Sequence, residues 1–448
     1  AIGAYDSNLR TGYVQNWNLS VQRELPGKMS LDVRYLGSKG TKLIRQIDVN
    51  EANIFESGIL DAFLVTQAGG NSPLLDQIFN GLNQPGLGVV NGTTVTGSQF
   101  VRLNTNTSGF FANNHVGGFA EYLNNTLNFT NVRGGLLRRA NLPENLIVGN
   151  PQFGSARIAG NYGNSTYHAL QIELNKRFSS GWTMQSNYTW SRTIGEHAGS
   201  SNTLIENTYR DGRNRHMDKR LLPFHRTHAF KTNGMVELPF GPSKRFLNGG
   251  GGLLPRLLER WQFGGILNLV SGQPITFVSQ TRSFNQYPNM PFPNTNNTVN
   301  LVGALPKSSG NVAYDDVGVT YFQGTRIVPD PAVQTLTTQQ SLRQGSLMQA
   351  ITDSDGGLIA MNPAPGVVGS MAHGYLEGPG QVRFDINLIK RIRIGEGTEF
   401  EFRADAIDVL NRPNFANPNT DINSTTFGRI TETNGGNRII VLNVRLNF

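Results

Sequence analysis

Hydrophobic and polar side chains alternate at every second position near the start of the chain. Trp17, Leu19 and Val21 occupy odd positions, and asparagine, serine and glutamine occupy the even positions beside them. After the turn 26–28, residues 29–35 repeat the alternation. Successive side chains of an extended chain point to opposite faces, so the pattern predicts two strands with one apolar and one polar face. The short turn between them predicts a hairpin.

Further stretches alternate in the same way, and short turns such as 179–181 and 395–397 separate some of them. They lie at about 170–177, 182–190, 226–239, 260–271, 383–388, 400–406 and 440–448. Together with the first hairpin they predict about nine strands.

The connections between these strands are alternately short and long. Residues 26–28, 179–181 and 395–398 form short turns, whereas the connection at 40–165 is more than a hundred residues long and that at 273–380 is about a hundred. Loops of that length are unusual inside a compact soluble domain. Transmembrane barrels combine short periplasmic turns with long extracellular loops.

Strand length favours the same fold. Strands of about eleven residues suit a tilted crossing of a hydrocarbon layer about 30 Å thick, whereas a soluble β-sandwich or propeller uses strands of about five or six residues. We therefore predict an all-β, antiparallel transmembrane β-barrel in a bacterial outer membrane. It would have about nine long strands and long extracellular loops. The aromatic residues predicted to face lipid or its interfaces are Trp17, Tyr35, Trp182, Tyr188, Trp190 and Trp261.

Composition agrees with many strands and turns. The 448 residues include 52 glycines and no cysteine, and only 38% are hydrophobic. No run of 18 apolar residues predicts a membrane-spanning helix, and the mean hydropathy of −0.32 suits a barrel that hides its apolar surface in every second residue. The net charge of +8 is not gathered into one basic tract, so a nucleic-acid partner is not predicted.

An ordered set of short segments carries a family resemblance. They are residues 16–23, 35–40, 167–171, 188–191, 237–241, 271–274, 402–405 and 411–415. The set resembles the C-terminal half of TonB-dependent receptors of the Oar-like group, in which a carboxypeptidase-regulatory-like domain and a plug precede a large barrel. The resemblance implies uptake of an unidentified solute through an energised barrel.

The chain also departs from this group. Nothing in it resembles a plug domain or a TonB box, and about nine strands cannot complete a wall of roughly 22 strands. We therefore expect residues 1–448 to be the C-terminal part of the barrel, without a plug, and expect contact with the TonB complex only through upstream regions. A secretion signal is likewise expected outside a chain that begins at Ala1. The alternative function is an outer-membrane anchor whose loops 40–165 and 273–380 act in surface adhesion.

The last residue is aromatic and follows an alternating strand. Phe448 resembles the signal by which outer-membrane barrels are recognised for assembly. The expected partners are therefore the barrel assembly machinery, through the C-terminal strand, and the lipid of the outer membrane.

One basic cluster lies in a predicted extracellular loop beside Asp211 and Asp218. It consists of Arg210, Arg213, Arg215, Lys219, Arg220 and Arg226. Arginine pairs with phosphate in bidentate fashion, so this loop is a candidate site for an anionic ligand such as lipopolysaccharide phosphate. The alternative is a solvated loop. Charged residues predicted to face a wet lumen are Glu173, Arg177, Arg383, Asp385, Glu401, Arg403, Asp405 and Arg445.

No catalytic, cofactor or metal site is predicted. The sequence has no Gly-x-Ser-x-Gly motif, and His225 and His228, three apart, would face opposite sides of a strand. Residues 353–357 begin like a calcium loop, but the remaining ligands are missing, so a solvated turn is the alternative. We expect a protein without a cofactor that is not an enzyme.

Overall fold

Nine long strands dominate the computed structural model, which describes residues 2–80, 82, 89–90, 93–125, 131–196, 209–241, 244–246, 257–284, 297–307, 309–334, 342–395 and 397–448. They form one antiparallel sheet, here called the wall, in which spatial order follows chain order. The strands are β1 (Tyr13–Leu25), β2 (Met29–Asp48), β3 (Ala156–Ser179), β4 (Trp182–Gly195), β5 (His228–Glu237), β6 (Trp261–Val270), β7 (Gln381–Gly395), β8 (Thr398–Ile407) and β9 (Ile439–Asn447). The predicted antiparallel strands and their order are confirmed.

Two short strands extend the wall at the end that carries the long connections. Ile2–Tyr5 pairs in parallel with the start of β3, and Arg220–Leu221 pairs with the end of β4. At the opposite end, Ser180 and Gly181 connect β3 to β4 with φ angles of 53° and 82°. Two positive φ angles are what a two-residue hairpin turn of type I′ requires. The short connections mark the periplasmic end and the long ones mark the extracellular end.

Strand register gives the wall one apolar and one polar face. One row across six strands is wholly apolar: Val21, Val33, Ile172, Tyr188, Phe230 and Leu269. The neighbouring row is wholly polar: Gln22, Asp32, Glu173, Asn187, Lys231 and Asn268. Because side chains alternate along each strand, the first row faces lipid and the second faces the lumen.

The strands β2 and β3 are longer than the sequence predicts. They contain 20 and 24 residues, so at about 3.3 Å per residue β3 extends far beyond a hydrocarbon layer of about 30 Å. Their pairing shifts register near Leu43, and they continue to Arg157 opposite Asp48. The expected connection 40–165 is therefore a pair of extended strands with a shorter insertion between them.

That insertion is a helical lobe with its own core, which corrects the expectation of a polar loop. Its helices are α1 (Ile59–Gln67), α2 (Pro73–Phe79), α3 (Gly97–Leu103), α4 (Ser108–Ala112), α5 (Val116–Asn125) and α6 (Gly135–Arg139), with a short hairpin Val89–Val90 and Thr93–Thr94. Phe63 stacks on Phe111 at 4.5 Å, and Phe119 lies 4.8 Å from Phe111. All three rings are fully buried. Helices of this length depend on such packing, because isolated short helices are unstable in water.

A second lobe is rich in short strands. It replaces the expected loop 273–380 and also includes one strand and Phe427 from the connection between β8 and β9. Its strands are Pro274–Ile275, Asn300–Leu301, Ala313–Asp315, Gly318–Thr320, Arg326–Pro329, Gln349–Thr352, Leu358–Met361, Leu376–Glu377 and Arg429–Ile430, and a helical turn covers Pro331–Gln334. Phe277, Phe322 and Phe427 form its aromatic centre, with ring centroids 4.8 to 5.4 Å apart. We call the two insertions the helical lobe and the β lobe.

The outermost strands of the wall each have one strand neighbour. Within the described residues β1 pairs with β2 and β9 pairs with β8, and β1 and β9 do not pair with each other. Almost every residue of both strands is exposed. None of the helices in the described ranges is long and apolar enough to cross a membrane.

Candidate functional site

The predicted basic cluster contains a buried ion pair. The Arg210 Nε donates to Asp218 Oδ1 at 2.8 Å, and the Arg210 backbone N–H donates to Asp218 Oδ2 at 3.0 Å. Arg45, at the extracellular end of β2, also contacts this carboxylate at 3.3 Å. Each of the three side chains is at most 4% exposed. The Asp218 carboxylate therefore joins the loop to the wall.

The other members of the cluster point in different directions. Arg213 pairs with Glu56 of the helical lobe at 3.0 Å, and Arg215 lies over the Tyr162 ring at 5.2 Å. Lys219 is exposed. Burial lowers the pKa of Arg220 to about 10, although Asp218 raises it. Binding of an anion by Arg210, Arg213, Arg215, Lys219 and Arg220 stays a prediction. Arg213, Arg215 and Lys219 are the exposed members, and Arg213 is already paired with Glu56.

Sequence reasoning missed four partners of this cluster, which are Arg45, Glu196, Tyr209 and His373. The Tyr209 hydroxyl donates to Glu196 Oε2 at 3.0 Å, and the Arg45 guanidinium lies 3.7 Å from the centre of the Tyr209 ring. His373, from the β lobe, is buried beside the cluster, and burial and the nearby Arg210 hold its pKa well below the usual value. No short-range pattern marks these residues, because more than a hundred positions separate several of them.

The charged residues predicted to face the lumen lie on the polar face and mostly pair there. Arg383 pairs with Asp385 at 3.1 Å, and Arg403 pairs with Asp405 at 2.9 Å. Glu401 binds Arg391 at 2.7 Å and is also the register partner of Arg445 on β9. Glu173 accepts hydrogen bonds from Asn175 at 2.7 Å and Gln185 at 3.3 Å. Arg177 is exposed beside the periplasmic turn.

A cavity of about 610 Å³ lies on the polar face towards the extracellular end. Amides, hydroxyls and two cations line it, including Gln171, Asn187, Thr193, Arg226 and Lys231, and none of the described residues that line it is a carboxylate. Its donors suit an oxygen-rich or anionic molecule.

Aromatic residues form two girdles on the apolar face. Trp17, Tyr35, Tyr188 and Trp190 lie towards the extracellular end, and Trp182 and Trp261 lie at the periplasmic end. The Trp17 ring covers Gly37 on β2, where an added Cβ would lie only 2.0 Å from the indole nitrogen. Such girdles mark the two membrane interfaces of a barrel.

The remaining candidates have local roles. His225 lies in the turn before β5 and accepts from the Thr193 backbone at 3.3 Å, so the assumption that it shares a strand with His228 was wrong. His228 binds the Tyr188 hydroxyl at 2.8 Å. Asp353 accepts the backbone N–H of Gly357 at 2.7 Å and closes a hairpin turn. Phe448 follows β9 and is 98% exposed.

The family model for an outer membrane beta barrel domain matches residues 1–440. The chain belongs to this family. Its location is the bacterial outer membrane, and its apolar girdled face is the membrane-facing surface.

Solved structures show a distant likeness. The outer membrane transporter YddB from Escherichia coli has a TM-score of 0.38 and 8% identity, and the match covers 99% of this chain and 34% of that one. FpvA of P. aeruginosa, bound to heterologous pyoverdines, has a TM-score of 0.31 and 7% identity, covering 98% and 28%. The chain thus spans about a third of the length of these structures. No curated protein matches.

Proposed function

We propose that this chain is the C-terminal part of the wall of a TonB-dependent receptor of the Oar-like kind, which takes up a solute across the outer membrane. Membership of the outer-membrane barrel family and the ordered set of resembling segments support the proposal. The polar inner face and the cavity of about 610 Å³ would provide the solute pathway.

The two edge strands of the wall, β1 and β9, indicate that the barrel contains more strands. In hydrocarbon every backbone N–H and C=O needs a partner within the protein, so a transmembrane sheet must close. The described residues leave one edge of β1 and one edge of β9 without a strand partner. Additional strands therefore belong between β9 and β1. In this proposal the TonB complex is reached through upstream regions, and the assembly machinery binds β9.

The extracellular lobes and basic loop would select the solute. Arg215 and Lys219 are accessible cations beside the mouth of the wall, and Arg226 and Lys231 continue the positive charge into the lumen-side cavity. This arrangement favours an anionic, oxygen-rich solute.

Binding to TonB tests the proposal without knowledge of the solute. The full-length gene product, purified in detergent, is immobilised and exposed to the periplasmic domain of TonB from the same organism. Specific, saturable binding supports a receptor, and the absence of binding contradicts it.

Surface adhesion is the second candidate, and the two folded extracellular lobes favour it. Each lobe has its own buried core, which a flexible gating loop does not need. A strain lacking the gene would then attach less to surfaces or to other cells, although its product binds no TonB. Normal attachment of that strain removes this candidate.

A further inference from the structure

The lumen-side cavity of about 610 Å³ has a floor formed by two neighbouring strands of the wall. Gln171 of β3 pairs in register with Thr189 of β4, and Tyr167 of β3 pairs with Thr193 of β4. Residues an even number of positions apart on a strand share a face, so all four side chains lie on the lumen side. The floor is therefore one continuous surface and not a set of separate contacts.

Most polar groups of the cavity can both donate and accept hydrogen bonds. They are the hydroxyls and amides of Ser38, Thr189, Ser191, Thr193, Gln171 and Asn187. Within the described part of the chain, the Gln171 amide and the Asn187 amide nitrogen form no hydrogen bond. Sugar hydroxyls also donate and accept, so such a lining matches a polyol at every point. A peptide backbone differs, because its N–H groups only donate and its carbonyls only accept.

Two aromatic rings line the same cavity. Tyr167 belongs to the floor, and Phe224 lies in the turn before β5 with 53% of its side chain exposed. Neither ring contacts another aromatic ring among the residues that the structure describes. The face of an aromatic ring is weakly negative and attracts the weakly positive C–H groups of a sugar ring. The cavity thus combines stacking surfaces with a polar floor.

Arg226 and Lys231 bring positive charge to two places in the cavity. Lys231 forms no ion pair or hydrogen bond within the described ranges, and Arg226 donates to the His225 carbonyl at 3.0 Å. Burial lowers the pKa of Arg226, and the Glu377 carboxylate partly offsets this without an ion pair. The two cations are five residues apart, so their backbones are separated by up to about 16 Å. This separation suits two carboxylates of one oligomer better than a single anion.

We infer that this cavity binds an acidic oligosaccharide, a chain of sugar rings with repeated carboxylate groups. The inference rests on the proposed function, because the solute of the receptor would pass this site. Two carboxylates of the oligomer would bind Arg226 and Lys231, and its rings would stack on Phe224 and Tyr167. Its hydroxyls would bind the amides and hydroxyls of the floor. The volume lies within the range of roughly 300–1,000 Å³ that is usual for ligand pockets.

Titration calorimetry with defined oligomers tests the inference. The probes are short oligomers of galacturonate and of mannuronate, added to the full-length protein in detergent. At least one of them should bind, and its methyl ester, which keeps the rings and hydroxyls but lacks the charges, should bind about tenfold more weakly. Oligoglutamate of equal length has repeated carboxylates without sugar rings and should bind no better than the ester. Failure of both acidic oligomers to bind, or equal binding by the ester or by oligoglutamate, would overturn the inference.

A double variant locates the carboxylate contacts. R226Q/K231Q should bind the acidic oligomer about tenfold more weakly and bind its methyl ester as the unmodified protein does. The control K28Q/R177Q removes the same charge at the exposed periplasmic end and should bind both normally. Heat-modifiable migration confirms that each variant is folded. An equal loss in the two double variants would show that the cavity is not the binding site.

A single variant locates the stacking contact. Phe224→Ala should weaken binding of the acidic oligomer and of its ester by the same factor, several-fold, because stacking does not depend on charge. Phe246→Ala is the control, since this side chain is 49% exposed at the periplasmic end and should leave binding unchanged. Unchanged binding by Phe224→Ala would refute the stacking position.

These results are separable from the TonB experiment. Binding of the acidic oligomer without binding of TonB would support the sugar site and contradict the receptor. Binding of TonB without binding of either acidic oligomer would support the receptor and contradict the sugar site.

Discussion

Asp218 is the residue on which the loop-to-wall contact depends. It binds Arg45 of β2 and Arg210 of the loop, and all three side chains are buried. A carboxylate that holds two buried guanidiniums offsets a large desolvation cost, so its removal leaves two charges uncompensated.

We predict that Asp218→Ala lowers the free energy of unfolding by about 3–5 kcal/mol. The full-length protein would show this as a lower thermal midpoint. Asp355→Ala is the control, because Asp355 is exposed and should change stability little. Similar midpoints for the two variants would show that the buried pair is not required.

Glu51, unlike Asp218, is a residue whose negative charge opposes folding. Burial, Asp48 and Asp211 raise its pKa from 4.5 to about 8. Between these two values the unfolded chain has released the proton and the folded protein still holds it, so stability falls as pH rises. Glu51→Gln should therefore stabilise the protein at pH 8 by about 1–3 kcal/mol and have no effect near pH 4.

Thermal melts at the two pH values measure this effect. Glu56→Gln is the control with the opposite sign, since its hydrogen bond to Arg213 lowers the pKa of this exposed carboxyl. A stabilisation by Glu51→Gln that is equal at pH 4 and pH 8 would exclude the titration as its cause.

Phe448 is predicted to act in assembly and not in folded-state stability. Its side chain is 98% exposed after the last strand, so it adds little packing within the described structure. We expect Phe448→Asn to reduce the heat-modifiable, outer-membrane fraction several-fold at equal synthesis, whereas Phe448→Tyr preserves it. Equal fractions for both variants would remove the assembly role.

At the scale of the strand, the two faces of β3 lie in different environments, one against lipid and the other against the lumen. Ile172 lies between Val33 and Tyr188 on the apolar face, and Gln171 lines the polar cavity. Ile172→Arg should lower stability by about 2–4 kcal/mol in lipid, while Gln171→Arg should have little effect. Denaturant unfolding of the full-length protein in phospholipid vesicles measures both. Equal destabilisation would contradict the assigned faces.

The strands of the wall can be predicted from the sequence because one face of each strand contacts lipid and the other faces the polar lumen. Period-two alternation therefore survives along 17–22 and 170–177. Beyond the membrane both faces are covered by protein, and consecutive residues Arg45 and Gln46 are both buried. The alternation is lost there, so the extensions of β2 and β3 could not be predicted from it.

The sequence of the helical lobe contains a hydrophobic pattern with a helical period in place of the two-residue period of a strand. In α5 the buried residues Val116, Phe119, Ala120 and Leu123 follow the spacing of one helix face, which a search for alternation does not detect. The buried cluster around Asp218 has no comparable pattern in the sequence. Arg45, Asp218 and His373 come from three distant segments, and only the tertiary fold brings them together.

At the scale of the whole molecule, the two lobes form one extracellular cap. The Gly117 backbone N–H of α5 donates to the Arg282 carbonyl at 2.9 Å, and the Arg343 N–H donates to the Arg102 carbonyl at 3.0 Å. Arg282 also pairs with Glu121 at 3.3 Å. Backbone contacts across the boundary mean that the lobes are expected to move together and not as independent loops.

A substitution at Gly117 can test the contact between the helical lobe and the β lobe. A Cβ added there would lie 1.8 Å from the Phe284 carbonyl oxygen of the β lobe, whereas one added at Gly118 would lie 3.2 Å from the movable Phe110 ring. Alanine in a helix is ordinarily more stable than glycine by about 1 kcal/mol. Gly117→Ala should nevertheless destabilise the cap by about 1–3 kcal/mol, because backbone must move to relieve the overlap.

Hydrogen exchange of the full-length protein resolves the effect by location. Gly117→Ala should accelerate exchange in both lobes and leave the strands β4 to β6 protected, because the wall does not depend on the contact. Gly118→Ala should match the unmodified protein or exchange more slowly. Faster exchange confined to the helical lobe would show that the two lobes are held to the wall separately, and the cap would then consist of two independently moving units.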